Sequence, residues 1–295
     1  MPSSPNASPP SKSPRRRPPR PTLPTPPKIP LPEVPTSPTT SDLAAALALA
    51  DVLRALGLEH AAAILDAALQ KAIARNDSPS SVIDHVMRDQ LRVHLEERAR
   101  TAVKRSAIFP IATLDTYDFK RPTSIDRDLV ERAATLDFVR ERTNVVFVGP
   151  SGVGKTHLAN AIGYLACVAG YRVRFALAAD LVNDLVGAQA RNTLNKRLVA
   201  WAAYDLLLID ELGYLSFDSR GADLLYQVIN KRYLRASTIV TTNLAFKDWG
   251  TLFHGAAAAT AIADRLVHKG LLVRIVGDSV RPGTNGGSGN STDPA

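Results

Sequence analysis

The chain has 295 residues and a formal net charge of +8 at neutral pH, with 45% hydrophobic and 22% charged residues. This composition excludes a chain that is disordered throughout, because it supplies enough apolar side chains for a sizeable core. The excess of Lys and Arg favours an acidic partner such as nucleic acid.

The cysteine content and the N-terminal sequence predict a soluble cytoplasmic protein with no membrane partner. A single cysteine, Cys167, excludes a disulfide framework and a multi-cysteine zinc site, and it fits a reducing compartment. It lies in an apolar run, so we expect a small buried hydrophobic residue. No apolar stretch after Met1 resembles a signal peptide, and no run approaches the length of a membrane span.

Residues 1–40 form a region of distinct composition. They hold fifteen of the 21 prolines, and six Lys and Arg against one Glu, so most of the net charge lies there. Proline removes backbone donors and fixes φ, which predicts a disordered, extended basic tail. Two roles are open: a ligand for an SH3-type domain, or a solvated tail with weak affinity for polyanions, which we favour.

Residues 41–106 predict a small helical domain. Leucines at helical spacing stop at Gly57, a second apolar stripe stops at Asn76, and Ser78-Pro79 is typical of a helix N-terminus. The third helix runs to about Ser106. Four basic residues, with no acidic residue among them, occupy its last turns and are candidate DNA contacts: Arg98, Arg100, Lys104 and Arg105. Favourable interaction with the helix dipole is the alternative explanation.

Residues 107–281 predict an α/β domain with a five-stranded parallel sheet. After a linker (107–125) and a helix at about 126–141, apolar runs alternate with helical segments. The predicted strands are Asn144–Gly149, Arg172–Ala176, Asp205–Asp210, Ser237–Thr241 and Leu271–Val276. Such a sheet is covered by helices on both faces and binds ligands at the carboxyl ends of its strands. Residues 282–295 predict a disordered C-terminal tail.

A phosphate-binding loop follows the first of these strands. The sequence fits the pattern GxxxxGK[ST] between a strand and a helix, which is the context that identifies a P-loop NTPase. Its residues are Gly149, Pro150, Ser151, Gly152, Val153, Gly154, Lys155 and Thr156. We expect Lys155 to reach the β- and γ-phosphates of ATP and Thr156 to ligate Mg²⁺.

Two carboxylates follow the third strand. Asp210 and Glu211 end the aliphatic run 206–209, and charges at the end of a buried strand require a cation, which Mg²⁺ at Thr156 supplies. We expect Asp210 to orient the metal ligands and Glu211 to polarise the attacking water. This pair favours hydrolysis over transfer to a small-molecule acceptor.

Two further residues complete the predicted catalytic set. Asn243 follows the fourth strand, which predicts a position beside the γ-phosphate and the water, although a turn residue fits the same spacing. Arg265 precedes the fifth strand. Its guanidinium either pairs with Asp264 on its own surface or reaches the phosphate of a neighbouring subunit as an arginine finger.

Several motifs resemble the IstB-like transposition helper ATPases. They are Gly-Lys-Thr-His-Leu-Ala (154–159), Asp-Glu-Leu-Gly-Tyr-Leu (210–215), Lys-Arg-Tyr (231–233), Thr-Thr-Asn-Leu-Ala-Phe-Lys-Asp-Trp (241–249) and Asp-Arg-Leu-Val-His (264–268). The resemblance covers about residues 80–281. It implies an AAA+ core, similar to the helicase loader DnaC and the initiator DnaA.

The resemblance also implies a function. It predicts an ATP-hydrolysing homo-oligomer that assembles on duplex DNA and recruits or stimulates the transposase of the same element. By position, Asp210 and Glu211 are then the acidic motif, Asn243 the sensor and Arg265 a finger acting in trans. A helicase loader of the DnaC kind is the alternative, and a small-molecule kinase built on the same loop is a third hypothesis.

Overall fold

The computed structural model describes residues 42–214, 216–253 and 256–278, so both predicted tails lie outside the described residues. The chain divides into two compact units, Met1–Leu47 and Ala48–Ala295, and the packing described below is within the second. In chain order the elements are α1 (Asp42–Ala55), α2 (Glu59–Arg75), α3 (Pro79–Ser106), β1 (Ser124–Ile125), α4 (Arg127–Ala134), α5 (Asp137–Arg140), β2 (Val145–Val148), α6 (Lys155–Val168), β3 (Val173–Leu177), α7 (Ala178–Ala190), α8 (Leu194–Ala202), β4 (Leu206–Leu212), α9 (Ser219–Arg232), β5 (Ser237–Thr242), a 3₁₀ turn (Phe246–Asp248), α10 (Trp249–Leu252), α11 (Ala256–Val267) and β6 (Leu271–Val276). Among these helices, none combines the length and the apolar composition that crossing a bilayer requires.

The strands form one sheet in the order β1-β6-β2-β5-β4-β3. The five predicted strands are present and parallel. The short strand β1, which the sequence analysis had placed in the linker, adds an antiparallel edge to β6. In register, Phe147 lies opposite Thr241 and Val273, and Leu177 lies opposite Asp210. The carboxyl ends of the parallel strands therefore meet at one edge of the sheet.

Alternating side chains of the strands build a core on each face of the sheet. Val146, Ile209 and Val240 pack with α7 to α11. Phe147 and Leu208 point the other way and pack with α4 to α6. Both faces are thus covered, as buried parallel strands require.

The N-terminal helices form a hairpin with a small core of its own. Its buried members are Ala61, Ala68, Ala72, Val82 and Val86. The predicted N-cap is confirmed, because Ser78 Oγ accepts a hydrogen bond from the backbone N–H of Ser81 at 3.3 Å and Pro79 begins α3. With 28 residues, α3 is about 42 Å long, so it continues beyond α2 and packs on α6 and β3. The domain limits drawn from the sequence stay predictions.

The helix predicted at 126–141 is two helices, α4 and α5. Leu136, buried among the side chains of the α6 face, adopts a left-handed conformation (φ 62°) between them. Left-handed backbone is usually occupied by glycine, so the sequence contains no signal for this break. Cys167 is buried, as expected.

Arg232 holds the loops that lead into β4 and β5. It is 1% exposed, and its Nη1 donates to the carbonyls of Trp201, Ala202 and Tyr204 at 3.2, 3.3 and 2.8 Å. Nη2 donates to the carbonyl of Ser237, and Nε donates to Oγ1 of Thr238 at 3.1 Å. Burial lowers the pKa of this guanidinium to about 9, and the side chain remains charged at neutral pH. Arg232 therefore fixes the starts of the two strands that carry the acidic pair and Asn243.

Candidate nucleotide-binding site

The predicted phosphate loop joins β2 to α6 at the carboxyl edge of the sheet. Gly152 and Gly154 have φ of 83° and 88°, a conformation that favours glycine. Gly149 is required by close packing, because a Cβ there would lie 2.2 Å from the carbonyl oxygen of Ile275. The loop therefore leads directly into the N-terminus of α6, where backbone N–H groups and the helix dipole favour an anion.

Lys155, the first residue of α6, is 5% exposed. Its Nζ donates to the carbonyl oxygens of Gly149 and Pro150, at 2.9 and 2.6 Å. The ammonium group therefore lies within the curve of the loop, where the sequence predicts phosphates. Phosphate oxygens would be stronger partners for this cation than the two carbonyls.

The next residue of the loop contacts the acidic strand end. Thr156 Oγ1 donates to both carboxylate oxygens of Asp210, at 2.9 and 3.0 Å. Asp210 is 3% exposed and also accepts a hydrogen bond from Oγ1 of Thr241. A hydroxyl oxygen and a carboxylate are ligands of the kind that Mg²⁺ uses. The oxygens of Thr156 and Asp210 thus fit the metal that the sequence predicts.

Glu211 lies next to this pair but has a different environment. The residue is partly exposed, its φ is 59°, and its backbone N–H donates to Oγ1 of Thr241 at 3.0 Å. The pairing with β5 shifts register between Ile209 and Leu212, so the strand bulges there. A left-handed glutamate costs conformational energy and marks a candidate functional position.

Asn243 follows β5 and lies against the turn after the acidic pair. A Cβ on Gly213 (φ 118°) would be 2.6 Å from Oδ1 of Asn243, so only glycine allows this approach. Within the described residues, that Oδ1 atom is buried and has no hydrogen-bond partner. A buried amide oxygen without a partner is costly, which suits a residue that binds a ligand or a water molecule.

Three residues near the loop were not predicted from the sequence. Thr241 is in the interior of β5 and links Asp210 to Glu211. Tyr214 donates from its hydroxyl to Oγ of Ser151 at 3.0 Å, joining the turn after the acidic pair to the phosphate loop. Its position inside the motif at 210–215 was the only signal for it.

The third is Tyr117, which comes from the linker before β1. Its hydroxyl donates to the carbonyl of Val153 at 3.0 Å, and its ring lies where a Cβ on Gly154 would be, 2.6 Å from Cε2. Burial, and to a lesser degree the charge of Asp118, raises the pKa of Tyr117 to about 12, so it remains a neutral donor.

A cavity of about 330 Å³ opens between this linker and the phosphate loop. Tyr117, Arg121, Gly152 and His157 are among the residues that line it. His157 Nε2 lies 3.0 Å from the carbonyl oxygen of Thr113. His157 thus secures the linker.

Arg265 lies near the C-terminus of α11, and α9 holds its guanidinium. Nε donates to Oδ1 of Asn230 at 2.9 Å, and Nη2 donates to the hydroxyl of Tyr226 at 3.0 Å. Nη1 donates to the carbonyl of Ala261 at 2.9 Å. The guanidinium carbon also lies 4.8 Å from the ring centre of Tyr226 and 5.7 Å from that of Tyr233.

These contacts bear on the two roles expected for Arg265, a surface ion pair with Asp264 or an arginine finger. In the described part of the chain, Arg265 forms no ion pair with Asp264. Three of its five N–H groups are engaged by neutral acceptors, which leaves two for a further partner. The surface pair with Asp264 is therefore not formed, and the finger in trans stays a prediction.

The four basic residues of α3 are all exposed and lie on two sides of the helix. Arg98 and Arg105 line a cavity beside the start of β3. Arg100 and Lys104 line another, together with Tyr164 and Val168 of α6. The structure thus does not bring the predicted DNA contacts together as one patch.

Comparison with known proteins finds a matching family and several similar proteins. The family described as IstB-like ATP binding protein matches residues 51–286. The ATP-binding protein of insertion sequence IS5376 from Geobacillus stearothermophilus is 40% identical over 190 residues, covering 63% of this chain and 76% of that protein. The ATP-binding protein of insertion sequence IS21 from Pseudomonas aeruginosa is 34% identical over 230 residues, covering 78% and 87%.

The fold also has a match among solved structures. The replication initiator DnaA bound to AMPPCP and single-stranded DNA aligns with a TM-score of 0.50 and 24% identity. The alignment covers 58% of this chain and 52% of the initiator. This likeness concerns the fold, and it agrees with the predicted AAA+ core.

Proposed function

The chain belongs to the family of IstB-like ATP-binding proteins, and we propose that it hydrolyses ATP with Mg²⁺ as a helper of DNA transposition. In this role it assembles as a homo-oligomer on duplex DNA and recruits or stimulates a transposase. The observation that carries the proposal is the contact of Thr156 with Asp210 at the mouth of a complete phosphate loop. It joins the nucleotide-binding loop to the strand that ends in the acidic pair.

Binding of the triphosphate follows from the loop. The N–H groups of residues 151–156 and the N-terminus of α6 would hold the phosphate oxygens. Lys155 would exchange its two carbonyl partners for the β- and γ-phosphates, so its ammonium group need not move far. The cavity beside Tyr117 would take the base, since it opens directly onto Gly152 and Gly154.

Thr156 and Asp210 would hold the metal ion. When bound there, Mg²⁺ neutralises charge that develops on the phosphate oxygens. Thr241 would keep the Asp210 carboxylate oriented through its own hydroxyl. The buried position of Asp210 prevents water from competing for the carboxylate.

Hydrolysis requires a positioned water molecule. Glu211 would accept its proton, because the residue is partly exposed while its backbone is fixed by Thr241. Asn243 would orient the same water, which would give its buried Oδ1 a donor. Arg265 would stabilise the transition state on the nucleotide of a neighbouring subunit through its two remaining N–H groups.

The proposed partners come from the family and from the relatives. Both relatives described above are named as ATP-binding proteins of insertion sequences. We therefore propose duplex DNA and a transposase encoded in the same element as partners. The candidate DNA contacts lie among the exposed basic residues of α3.

The test combines turnover with assembly. Phosphate release and the mass of the DNA-bound complex are measured for the wild type and for Glu211→Gln. The variant should bind ATP normally, lose about 10²- to 10⁴-fold in turnover, and remain in an ATP-dependent oligomer on duplex DNA. Normal turnover of Glu211→Gln would show that another residue activates the water.

A wild-type complex whose mass on DNA does not depend on ATP would overturn the assembly proposal. Failure of the wild type to capture the transposase encoded beside this gene would overturn the proposal of a transposase as partner.

A further inference from the structure

The arginines of α3 change their pairing along the helix. In its first half, Arg88 pairs with Asp84 at 2.7 Å, and Arg92 pairs with Asp89 at 2.8 Å and with Glu96 at 3.0 Å. From residue 98 onward, Arg98, Arg100, Lys104 and Arg105 form no ion pair with any residue of the described ranges. The switch occurs where α3 leaves the N-terminal hairpin and reaches the sheet.

The unpaired basic residues face two different surfaces. Arg98 and Arg105, seven positions apart, share one side of the helix. They line a groove of about 750 Å³ between α3 and the start of β3, here called the arginine groove. Its other polar lining residues include Thr101, Tyr171, Arg172 and Tyr204.

The surface beyond Arg100 and Lys104 is more apolar. Leu95, Ile111 and Val168 line it, and these side chains are about half exposed. Such a surface offers few donors to a phosphate. The arginine groove, in contrast, presents two guanidinium groups, a threonine hydroxyl and two tyrosines.

The remaining charges of the groove do not cancel the two arginines. Arg172 is engaged by Asp205, with Nη2 2.9 Å from Oδ1, so this pair is locally neutral. Glu97 also lines the groove, but within the described residues it forms no ion pair with Arg98 or Arg105, and the two arginines outnumber this single carboxylate. Arg98 and Arg105 are thus available for an external anion.

The helix dipole does not explain both residues. Its effect is confined to the last turn of a helix, which contains Lys104 and Arg105. Arg98 lies about two turns earlier, so the dipole gives no reason for an unpaired arginine there.

From these observations we propose that the arginine groove holds the phosphate backbone of duplex DNA through Arg98 and Arg105, while Arg100 and Lys104 make no phosphate contact. Seven helical residues span about 10 Å, which is roughly three base-pair steps of 3.4 Å, so both groups can reach phosphates of one strand. This inference rests on the proposed DNA-dependent function and names the surface that serves it. The groove lies at the amino end of β3, and the phosphate loop lies at the carboxyl edge of the sheet, so DNA and ATP would occupy opposite ends.

The test compares two double variants that remove the same charge from the same helix. Affinity for a duplex DNA fragment is measured by fluorescence anisotropy over a range of salt concentrations. Each phosphate contact contributes about 0.9 to the slope of log K against log salt. Arg98→Gln/Arg105→Gln should therefore reduce the slope by about 1.8, and each single variant by about 0.9. Arg100→Gln/Lys104→Gln, the matched control, should keep the wild-type slope.

Folding controls and the single variants keep the comparison of slopes interpretable. Helix content and thermal unfolding verify that the exposed substitutions leave the fold intact, and the single variants preserve the test if one double variant is unstable. Equal slopes for all variants and the wild type would overturn the proposal that the arginine groove contacts DNA, but would leave the proposed DNA binding in place. Equal losses in both double variants would also overturn it, since they would indicate a diffuse basic surface. A slope that falls with single-stranded but not with duplex DNA would contradict the proposed occupant, and a wild type that binds no duplex DNA would contradict the proposed function as well.

Discussion

Thr156 Oγ1 donates a bifurcated hydrogen bond to the two carboxylate oxygens of Asp210, at 2.9 and 3.0 Å, across 54 residues of sequence. The contact exists because α6 begins and β4 ends at the same edge of a parallel sheet. It unites the predicted phosphate loop with the acid that we propose as a metal ligand. The predictions below start from this relationship.

The Thr156 hydroxyl can be tested by a pair of substitutions. Thr156→Ala removes the oxygen that contacts Asp210, whereas Thr156→Ser keeps it. We expect the alanine variant to require about 10- to 100-fold more Mg²⁺ for half-maximal ATP turnover, by analogy with other groups that support a metal site. The serine variant should stay near the wild type. Equal Mg²⁺ requirements for alanine and serine would show that the hydroxyl has no part in metal binding.

The approach of Gly213 to Asn243 predicts a sensitive position. Gly213→Ala places a Cβ 2.6 Å from Oδ1 of Asn243, so the amide must move. We expect kcat to fall at least tenfold while the affinity for ATP is retained. Gly170→Ala is the control, because Gly170 also has positive φ (89°) but has open space around it. If both variants lose the same activity, backbone strain alone is responsible and Asn243 is not the cause.

The guanidinium of Arg265 should depend on the hydroxyl of Tyr226. Tyr226→Phe removes the acceptor of Nη2 and keeps the ring. We expect a lower kcat with unchanged ATP affinity, because the finger would be less well oriented. Tyr233→Phe is the matched control, since the Tyr233 hydroxyl contacts His268 instead.

A mixing experiment separates this role from a structural one. Arg265→Ala and Lys155→Ala subunits each lack one half of a shared site, so a mixture should regain some turnover if Arg265 acts in trans. Turnover of the mixture no higher than that of either variant alone would argue for a structural role.

Arg232 should contribute strongly to stability. Arg232→Lys retains a charge but cannot reach the four carbonyls and the hydroxyl that the guanidinium satisfies. Buried acceptors left unsatisfied cost about 1 to 3 kcal/mol each, so we expect a loss of at least about 3 kcal/mol in the free energy of unfolding. Urea denaturation measures it, with the exposed Arg235→Lys as control. A loss below about 1 kcal/mol would show that the lysine or water replaces these bonds.

The main elements were predictable from the sequence for a physical reason. Strands buried on both faces are continuous apolar runs, and a glycine loop between a strand and a helix has few alternatives. All five parallel strands were found in this way, and so was the proximity of Thr156 to Asp210. The sequence also placed Asn243 after β5, at the same edge of the sheet as the acidic pair, and its position beside the γ-phosphate and the water stays a prediction.

Other features depend on packing that the sequence does not display. Leu136 takes a left-handed conformation without glycine, and a two-residue strand such as β1 has no periodicity to recognise. Tyr117 contacts the phosphate loop from a linker 36 residues before Val153. Helical spacing separates Arg98 from Arg100, but the surface that each side of α3 faces depends on how the helix packs on α6 and β3.

The central claim is that this phosphate loop binds ATP, and calorimetric titration of Mg²⁺-ATP into the wild type and Lys155→Ala tests it most directly. The account predicts one site per chain in the wild type and loss of measurable binding in the variant, because the substitution removes the buried ammonium group that would bind the phosphates. Equal affinity in the two proteins would contradict it.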